Sequence, residues 1–414
     1  MKKVIIIALA ALALVGCEEK YVARVTDVRL VSVEPRNGYP GDIVTVFGNN
    51  FSPDPAADEV TVGGVPAIVI EAASGRLQIV LPEREPGQWP IAVKAPAGEA
   101  EGIMVNYLKV PDHTYLVSTI VGQQGQRKCE DGVGVEALTY MPTGINKAPD
   151  GTMWFTDRGG NKIRRIAKDM TVQTLAEVST AGSAVWQGCF DAEGNYWYND
   201  KAKGNLYCLS ADGSKNVQKA SGLDNPMNVA IGSDGYIYVP CRNAKVVYKF
   251  DPATMAKSEF ATIPDDGPAF IAFDHSGNMI VSVQHGYRLL SIAPDGNQSV
   301  IFGTGEKSDK MYDDPDGDPL KTTMRSCQGL DIAPDGTMYI CDVSYNCVRK
   351  LTPDKNGNYA KGKVETVLGG TKGFSDGKGL NAKFNEPDGI LIYDNETLYI
   401  CDAQNCLIRK VNIK

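Results

Sequence analysis

Residues 328–351 read QGLDIAPDGTMYICDVSYNCVRKL, and the pattern of this stretch decides the fold. An apolar strand leads into an Asp-Gly turn, and a second apolar strand, a short polar loop and a third strand follow. Residues 387–411, PDGILIYDNETLYICDAQNCLIRKV, repeat these features in the same order. Two copies of one strand–turn–strand–loop–strand unit predict a fold assembled from repeated small sheets.

The same unit recurs throughout the second part of the chain. Its first turn aligns at Gly151, Gly194, Gly235, Gly277, Gly336 and Glu396. The earlier turns are about 42 residues apart, which is typical of a propeller blade. The last two intervals are longer, because insertions precede the fifth and sixth units. Six units predict a six-bladed β-propeller over residues 110–414.

The ring is predicted to close by pairing its two ends. Outer strands are expected near residues 172–178, 216–220, 258–262, 299–302 and 364–368. The sixth unit has no such strand before the chain stops at Lys414. Residues 117–122, VSTIVG, are similar to residues 364–369, VETVLG. We therefore expect this upstream segment to supply the outer strand of the sixth blade, which would protect the sheet edges.

The repeats resemble NHL repeats. The first unit contains Pro142-Thr143-Gly144 before its inner strand, and NKIRRI at residues 161–166 follows its polar loop. The likeness extends over residues 110–414 and is strongest in the first, fifth and sixth units. It implies an NHL-type β-propeller.

A different pattern occupies residues 28–109. About seven short alternating strands, separated by Gly and Pro, predict a β-sandwich. The stretch resembles an IPT/TIG domain, which is an immunoglobulin-like module. The residues that carry this resemblance are Pro35, Gly38, Gly41, Gly48-Asn49-Asn50-Phe51, Val62-Gly63-Gly64, Ala67, Pro82, Gly87 and Tyr107. The resemblance implies a spacer or docking unit, and the predicted fold class is all-β throughout.

The N-terminus has the pattern of an export signal. Lys2 and Lys3 precede twelve apolar residues, too few to span a bilayer, and Cys17 follows. This resembles a bacterial lipobox, which implies a signal peptide over residues 1–16 and a lipidated Cys17 that begins a linker over residues 17–27. A simple cleaved signal with a chance Cys is the alternative. The acids directly behind Cys17 are similar to the export signal of Bacteroidetes surface lipoproteins. The expected location is therefore the outer membrane, at the cell surface.

The net charge limits the classes of binding partner, and the cysteine count bears on disulfide formation. The chain has 42 Lys and Arg against 50 Asp and Glu, a net charge of -8, which argues against a nucleic-acid partner. Membrane contact is expected only through the lipid anchor. Nine cysteines remain besides Cys17. We interpret most of them as small buried apolar residues, and disulfides with at least one Cys left over are the alternative.

The candidate ligand site lies on one face of the propeller. The loops that enter the inner strands share this top face with the loops between second and third strands. The predicted ring of ligand-binding residues is Thr143, Arg158, Trp186, Gln187, Asn228, Arg242, Tyr287, Arg288, Gln328, Tyr345 and Asp388. Amides, a carboxylate and exposed aromatic rings suit a polyhydroxylated ligand. A solvated ring without a ligand is the alternative.

Three long insertions, near residues 122–141, 303–326 and 370–386, also lie on the predicted top face. Two of them are alike: Asp131-Gly132-Val133-Gly134 matches Asp376-Gly377-Lys378-Gly379. A structural role is the favoured interpretation of this match. Long insertions grouped on one face nevertheless often carry function.

Catalytic patterns are lacking. His113, His275 and His285 are the three histidines and cannot converge on one zinc ion. The chain has neither a Gly-x-Ser-x-Gly elbow nor a P-loop. Calcium is the cofactor that the sequence leaves open. Asn228 could serve as an axial ligand in a lactonase-like propeller, and the loop carboxylates of Asp314, Asp316 and Asp318 are weak candidates. A solvated acidic loop is the favoured interpretation of that triplet.

These features predict a non-enzymatic, lipid-anchored protein of the cell envelope. Its propeller is expected to bind a glycan or an envelope protein through the top face. The alternative is a metal-dependent lyase or lactonase with its site on the propeller axis. No catalytic residue and no cofactor is assigned in the first interpretation.

Overall fold

The computed structural model describes residues 27–107, 113–178, 185–264, 266–308 and 317–414. The chain divides into two compact units, Met1–Val110 and Pro111–Lys414. Strands dominate both, as predicted. The short 3-10 helices of the second unit are Gly134–Glu136, Arg158–Gly160, Gln284–Gly286, Val343–Tyr345, Tyr359–Lys361, Gly379–Asn381 and Ala403–Asn405. No helix in the described part of the chain has the length and hydropathy to span a bilayer.

The first unit is a β-sandwich. Its strands are β1 (Arg29–Glu34), β2 (Asn37–Gly38), β3 (Ile43–Asn49), β4 (Glu59–Val62), β5 (Val65–Ala73), β6 (Arg76–Val80), β7 (Gly87–Ala95) and β8 (Gly98–Tyr107). Strand β5 pairs with β4 at Val65–Ala67 and with β6 from Ile68 onward. This change of partner joins β1-β3-β6-β5 to β5-β4-β7-β8-β2. Alternate residues such as Val44 and Val46 are buried in the core.

The second unit consists of six antiparallel sheets, the blades of a propeller. After β9 (Tyr115–Val121), blade 1 contains β10 (Gly132–Val133), β11 (Pro142–Lys147), β12 (Met153–Asp157), β13 (Lys162–Ile166) and β14 (Thr171–Glu177). Blade 2 contains β15 (Cys189–Phe190), β16 (Tyr196–Asp200), β17 (Asn205–Leu209) and β18 (Asn216–Ala220). Blade 3 contains β19 (Ala230–Ile231), β20 (Ile237–Cys241), β21 (Val246–Phe250) and β22 (Lys257–Thr262).

The remaining blades follow the same plan. Blade 4 contains β23 (Phe270–Phe273), β24 (Met279–Val283), β25 (Arg288–Ile292) and β26 (Gln298–Phe302). Blade 5 contains β27 (Cys327–Ile332), β28 (Met338–Asp342), β29 (Cys347–Thr352) and β30 (Lys363–Gly369). Blade 6 contains β31 (Gly377–Lys378), β32 (Pro387–Asp394), β33 (Thr397–Asp402) and β34 (Leu407–Ile413), together with β9. The prediction of six blades is confirmed.

Strand β9 closes the ring. It pairs antiparallel with the C-terminal strand β34, from Val121 opposite Ile408 to Tyr115 opposite Ile413. Beyond the last pair, the Thr114 and Lys414 backbones exchange two hydrogen bonds of 2.7 and 2.9 Å. The N-terminal strand of the propeller is therefore the outer strand of the last blade, as the similarity of residues 117–122 to residues 364–369 predicted.

Glycine allows the inner strands to meet around the axis. A Cβ atom on Gly144 would lie 2.6 Å from the Cα of Gln187 on the next blade. A Cβ atom on Gly389 would lie 2.6 Å from the carbonyl oxygen of Thr143. Neither position tolerates a side chain without a backbone shift. This close approach brings Thr143, Gln187, Gln328 and Asp388, the residues before these glycines and their equivalents, to one end of the ring, which we call the top mouth.

All nine described cysteines are free thiols. The buried ones are Cys241, Cys327, Cys341, Cys347, Cys401 and Cys406, and the other three are partly buried. The disulfide alternative is therefore not what the structure shows. These six residues pack as small apolar side chains between the strands.

Candidate functional site

Equivalent positions of the repeat surround the top mouth. The inner strand of each blade begins opposite the end of the second strand, as Pro142 does opposite Asp157 and Pro387 opposite Asp402. The residue after the second strand therefore lies at the same end as the start of the inner strand. In blades 1 to 6 this residue is Arg158, Lys201, Arg242, Gln284, Val343 and Ala403. Cations thus occupy this position in three successive blades and in none of the other three.

A chain of side-chain hydrogen bonds lines the mouth and links blades 3, 4, 5 and 6 in succession. Arg242 donates to the Gln284 amide oxygen at 2.9 Å. With its amide nitrogen directed at Asp388, Gln328 donates to the two carboxyl oxygens at 2.8 and 2.9 Å, and its own oxygen accepts from Gln284 at 2.9 Å. Four blades therefore contribute one side chain each to a continuous polar network.

Asp388 is the acidic end of this network and is only 3% exposed. Burial raises the pKa of its carboxyl to about 7, the Arg158 charge opposes this shift, and the Glu386 charge adds to it. Burial thus favours the protonated carboxyl, whereas the two hydrogen bonds from Gln328 favour the carboxylate. Any ligand in the mouth would meet a group that can either accept or donate a hydrogen bond.

Two of the cations lie close to the Trp186 ring. The Arg158 guanidinium carbon lies 4.2 Å from the centre of the Trp186 ring, and the Lys201 ammonium lies 5.0 Å from it. Burial lowers the pKa of Lys201, and the charges of Arg242 and Arg158 lower it further. Arg242 forms an ion pair of 3.0 Å with Asp266. Within the described ranges, neither Arg158 nor Lys201 has an ion-pair partner.

Two predicted ring residues are engaged in holding the strands together. Thr143 is fully buried, with its hydroxyl 3.3 Å from that of Thr156. The Asn228 amide donates to the Ile271 carbonyl at 2.8 Å and accepts from the Ile271 backbone N–H at 3.0 Å. Asn228 thereby bridges blades 3 and 4. Its amide oxygen already has a partner, so the geometry offers no support for an axial metal ligand at this position.

The expectation of exposed aromatic rings is wrong for two residues. Tyr345 is 5% exposed, and its hydroxyl lies 3.2 Å from the Thr323 hydroxyl and donates to the Ser308 carbonyl at 2.9 Å. Trp186 is 8% exposed and packs edge-on against Phe270. Trp186 packs with Met227, Ala269 and Phe270, whereas the partners of Tyr345 belong to the 303–326 insertion. Neither ring therefore offers a face on which a sugar ring could stack. Tyr287 and the adjacent Arg288, at the start of β25, are half-buried.

The structure therefore brings together one part of the predicted ring. Arg158, Trp186, Arg242, Gln328 and Asp388 belong to the network or to the cation group, and Gln187 is half-buried next to Trp186. The prediction missed two members, Lys201 and Gln284. A signal for both was present, because they stand directly after the second strand, as Arg158 and Arg242 do.

The insertion near residues 122–141 is fastened to the outer edge of blade 1. Arg164 is fully buried and binds Asp157 and Asp131, each at 3.0 Å. Asp131 also accepts hydrogen bonds from the backbone N–H and hydroxyl of Thr174, at 2.8 and 2.9 Å. Strand β10 then pairs with β14.

Blade 6 repeats this arrangement with other residues. Arg409 binds Asp402 and Asp376, each at 2.7 Å. Asp376 accepts from the backbone N–H and hydroxyl of Thr119, at 3.1 and 3.0 Å. Strand β31 pairs with β9. The geometry of the two like insertions agrees with the structural interpretation of their matching sequences.

The structure describes only one residue of the acidic triplet Asp314, Asp316 and Asp318. Asp314 and Asp316 lie outside the described residues. Asp318 accepts from the Leu320 backbone N–H at 3.0 Å and forms an exposed ion pair of 3.1 Å with Lys321. The described parts of the chain contain no group of three His, Cys, Asp or Glu side chains that could hold a metal ion. The calcium prediction for this loop remains untested.

Comparison with known proteins supports the architecture. Residues 29–106 match the IPT/TIG domain family. A crystal structure of an auxiliary nutrient binding protein from Bacteroides thetaiotaomicron superposes with a TM-score of 0.62 at 24% identity, over 94% of this chain and 98% of that one. A second auxiliary nutrient binding protein, from Bacteroides ovatus, gives a TM-score of 0.62 at 18% identity with the same coverage. At these identities the likeness establishes the fold.

Two curated proteins are similar in sequence. Protein SUPPRESSOR OF QUENCHING 1, chloroplastic, of Arabidopsis thaliana is 26% identical over 312 residues, which are 71% of this chain and 27% of that protein. Virginiamycin B lyase of Nocardia farcinica is 25% identical over 154 residues, which are 37% of this chain and 52% of the lyase. The chain thus spans about a quarter of the first protein and about half of the second.

Proposed function

We propose that this chain is a non-enzymatic binding protein of the bacterial cell envelope, anchored by a lipid on Cys17, whose top mouth binds a glycan. The observation that carries the proposal is the hydrogen-bonded chain Arg242–Gln284–Gln328–Asp388, which lines the mouth across four blades. The likeness in fold to two auxiliary nutrient binding proteins supports a binding role.

The chemistry of the network suits sugar hydroxyls. Amide groups donate and accept hydrogen bonds in a fixed direction, and each carboxyl oxygen of Asp388 keeps one lone pair beyond the one that accepts from Gln328. A cleft of about 400 Å³ adjoins the network and is lined by Gln284, Gln328, Ser326, Asn346 and Glu386, among others. Its volume falls within the range of small-molecule sites. A hydroxyl-rich ligand in this cleft would have side-chain partners from blades 4, 5 and 6.

Glycan retention by the purified full chain tests the proposal. We expect a glycan array to show at least one retained glycan, and Gln328→Ala to weaken that retention about tenfold, because the variant removes hydrogen bonds on both sides of the network. Gln298→Ala, on the exposed outer strand β26, is the matched control and should bind like wild type. Retention of an envelope protein but of no glycan would replace the proposal with a protein-docking function.

One observation favours a different function, namely the sequence likeness to a virginiamycin B lyase. The alternative would be a metal-dependent lyase or lactonase with a metal on the propeller axis. Metal analysis of protein purified without chelator distinguishes the two functions. A stoichiometric ion, together with a rise in melting temperature on adding Ca²⁺, would favour the enzyme.

A further inference from the structure

We propose that the glycan bound at the top mouth is anionic, and that Arg158 and Lys201 bind its carboxylate or sulfate group. This inference rests on the proposed function and specifies the class of ligand. It follows from the charges, the donor groups and the division of the mouth into two sectors.

The first argument is the imbalance of charge. Arg158, Lys201 and Arg242 occupy equivalent positions in three successive blades of a chain whose net charge is -8. Asp266 compensates Arg242 through an ion pair of 3.0 Å. Asp388 acts on Arg158 only at longer range, and no described acid pairs with Lys201. Half-buried like charges repel one another, and an anion bound between them would remove that repulsion.

The second argument is the set of donor groups around Trp186. Arg158 and Lys201 lie 4.2 and 5.0 Å from the indole ring. The indole N–H of Trp186 is buried and has no hydrogen-bond partner among the described residues. A guanidinium, an ammonium and an indole N–H are all donors without an acceptor. An oxyanion in the mouth offers acceptors to the guanidinium and the ammonium, and charge-assisted hydrogen bonds to it are the stronger kind.

The third argument is the division of the mouth by chemistry. At the position directly after the second strand, only blades 1 to 3 present cations. Blades 4 to 6 present Gln284, Gln328 and Asp388, and the cleft beside them is also lined by Arg325 and Lys372. A sugar that carries an acidic group would place its charge toward the first sector and its hydroxyls toward the second. A second cleft, of about 420 Å³, extends from Lys201 and is lined by Lys203, Asn225, Asn243 and Asp224, among others. Clefts on both sides of the mouth suit a chain of several sugars.

Matched pairs of polysaccharides test the inference on the full chain. Polygalacturonate against its fully methyl-esterified form isolates a carboxylate, and dextran sulfate against dextran isolates a sulfate. We expect at least one anionic polymer to bind at low salt, its neutral counterpart to bind at least tenfold more weakly, and 0.5 M NaCl to weaken the anionic complex. The double variant R158Q/K201Q should reduce the affinity for the anionic polymer about tenfold or more.

The control is K168Q/K215Q, which removes the same charge from exposed turns at the opposite end of the blades. It should bind like wild type. R158K/K201R keeps both charges and should retain most of the affinity, and melting curves verify that every variant folds. Equal binding of neutral polymers would overturn the anionic assignment and leave the proposed function standing. Equal binding by R158Q/K201Q would overturn the assigned residues. Retention of no polymer of either charge would overturn the proposed function as well.

Discussion

At the residue scale, the propeller uses arginine in two opposite ways. Arg164 is fully buried, and its two terminal nitrogens bond two carboxylates and the carbonyls of Leu138 and Glu130. Arg158 has no ion pair among the described residues, and its guanidinium instead lies 4.2 Å from the centre of the Trp186 ring. A guanidinium surrounded by acceptors is part of the scaffold. A guanidinium at the top mouth that lacks such acceptors remains available to a ligand.

The first prediction concerns the scaffold arginine. Arg164→Met should lower the free energy of unfolding by about 3–5 kcal/mol, because Asp157 then remains buried without its counter-charge. Urea denaturation measures the change. Arg165→Met is the matched control, since this neighbouring arginine bonds Gln173 at the surface, and it should cost about 0.5 kcal/mol or less. Equal losses in the two variants would show that the buried pair has no special role.

The second prediction concerns the pH dependence of stability. Burial raises the pKa of Asp388 to about 7 in the folded chain, whereas an exposed aspartate has a pKa of about 4. Between these values the folded chain keeps a proton that the unfolded chain has released, so its stability falls as pH rises from about 4 to about 7. Asp388→Asn cannot titrate. We therefore expect a smaller drop in melting temperature between pH 5 and pH 8 than in wild type.

Other buried carboxyls also contribute to the pH dependence of stability. Burial also raises the pKa of Asp157 and of Asp402 to about 6. These groups persist in the variant, so the pH dependence should shrink without vanishing. Glu193→Gln, on an exposed turn, serves as the control. An unchanged pH profile in Asp388→Asn would contradict the raised pKa.

At the scale of the element, ring closure depends on one strand. Val121 in β9 is fully buried between β34 and blade 1, where it packs with Ile408 and Ile145. Val121→Asp should cost about 3–5 kcal/mol, because it places an unpaired charge in this core. Hydrogen exchange in β34 should accelerate, since its outer partner is weakened. Ser118→Asp, on the partly exposed side of the same strand, should leave exchange in β34 nearly unchanged. Protection of β34 in both variants would argue against closure by β9.

Much of this element plan could be predicted from the sequence. Strand alternation and the Asp-Gly turns reflect local backbone geometry. The six blades and their outer strands could therefore be predicted from the sequence. The closing strand was found because VSTIVG is similar to the outer strand of the preceding blade. The burial of Trp186 and Tyr345 could not be predicted, because it depends on contacts between segments far apart in the sequence. Trp186 packs on Phe270, and Tyr345 bonds Ser308 and Thr323 of an insertion. Lys201 was missed because single charged residues in a loop are common. This lysine is notable only because blades 1 and 3 also have a cation at the equivalent position.

At the scale of the whole molecule, the chain combines a sandwich with a propeller, and the sequence predicts an export signal before them. The predicted anchor is tested by Cys17→Ser. We expect wild type, expressed in a bacterial host, to incorporate labelled fatty acid and to enter the detergent phase of a Triton X-114 extract, because the thiol of Cys17 carries the lipid. The variant should lose both properties. Cys208→Ser changes a partly buried thiol of the propeller and should behave like wild type. Unlabelled wild-type protein would contradict a lipid anchor.

The last prediction assigns binding to one of the two units. Each unit has its own apolar core: Val33, Val46 and Ile79 belong to that of the sandwich, and β9 with β34 closes the propeller without help from the first unit. We therefore expect a fragment of residues 111–414 to fold and to bind the same polysaccharide within about threefold of the full chain. A fragment of residues 27–110 should fold and bind none. Calorimetry with both fragments and the full chain provides the comparison. A propeller fragment that melts like the full chain but does not bind would show that the sandwich contributes to the site, and the top mouth alone could not be its location.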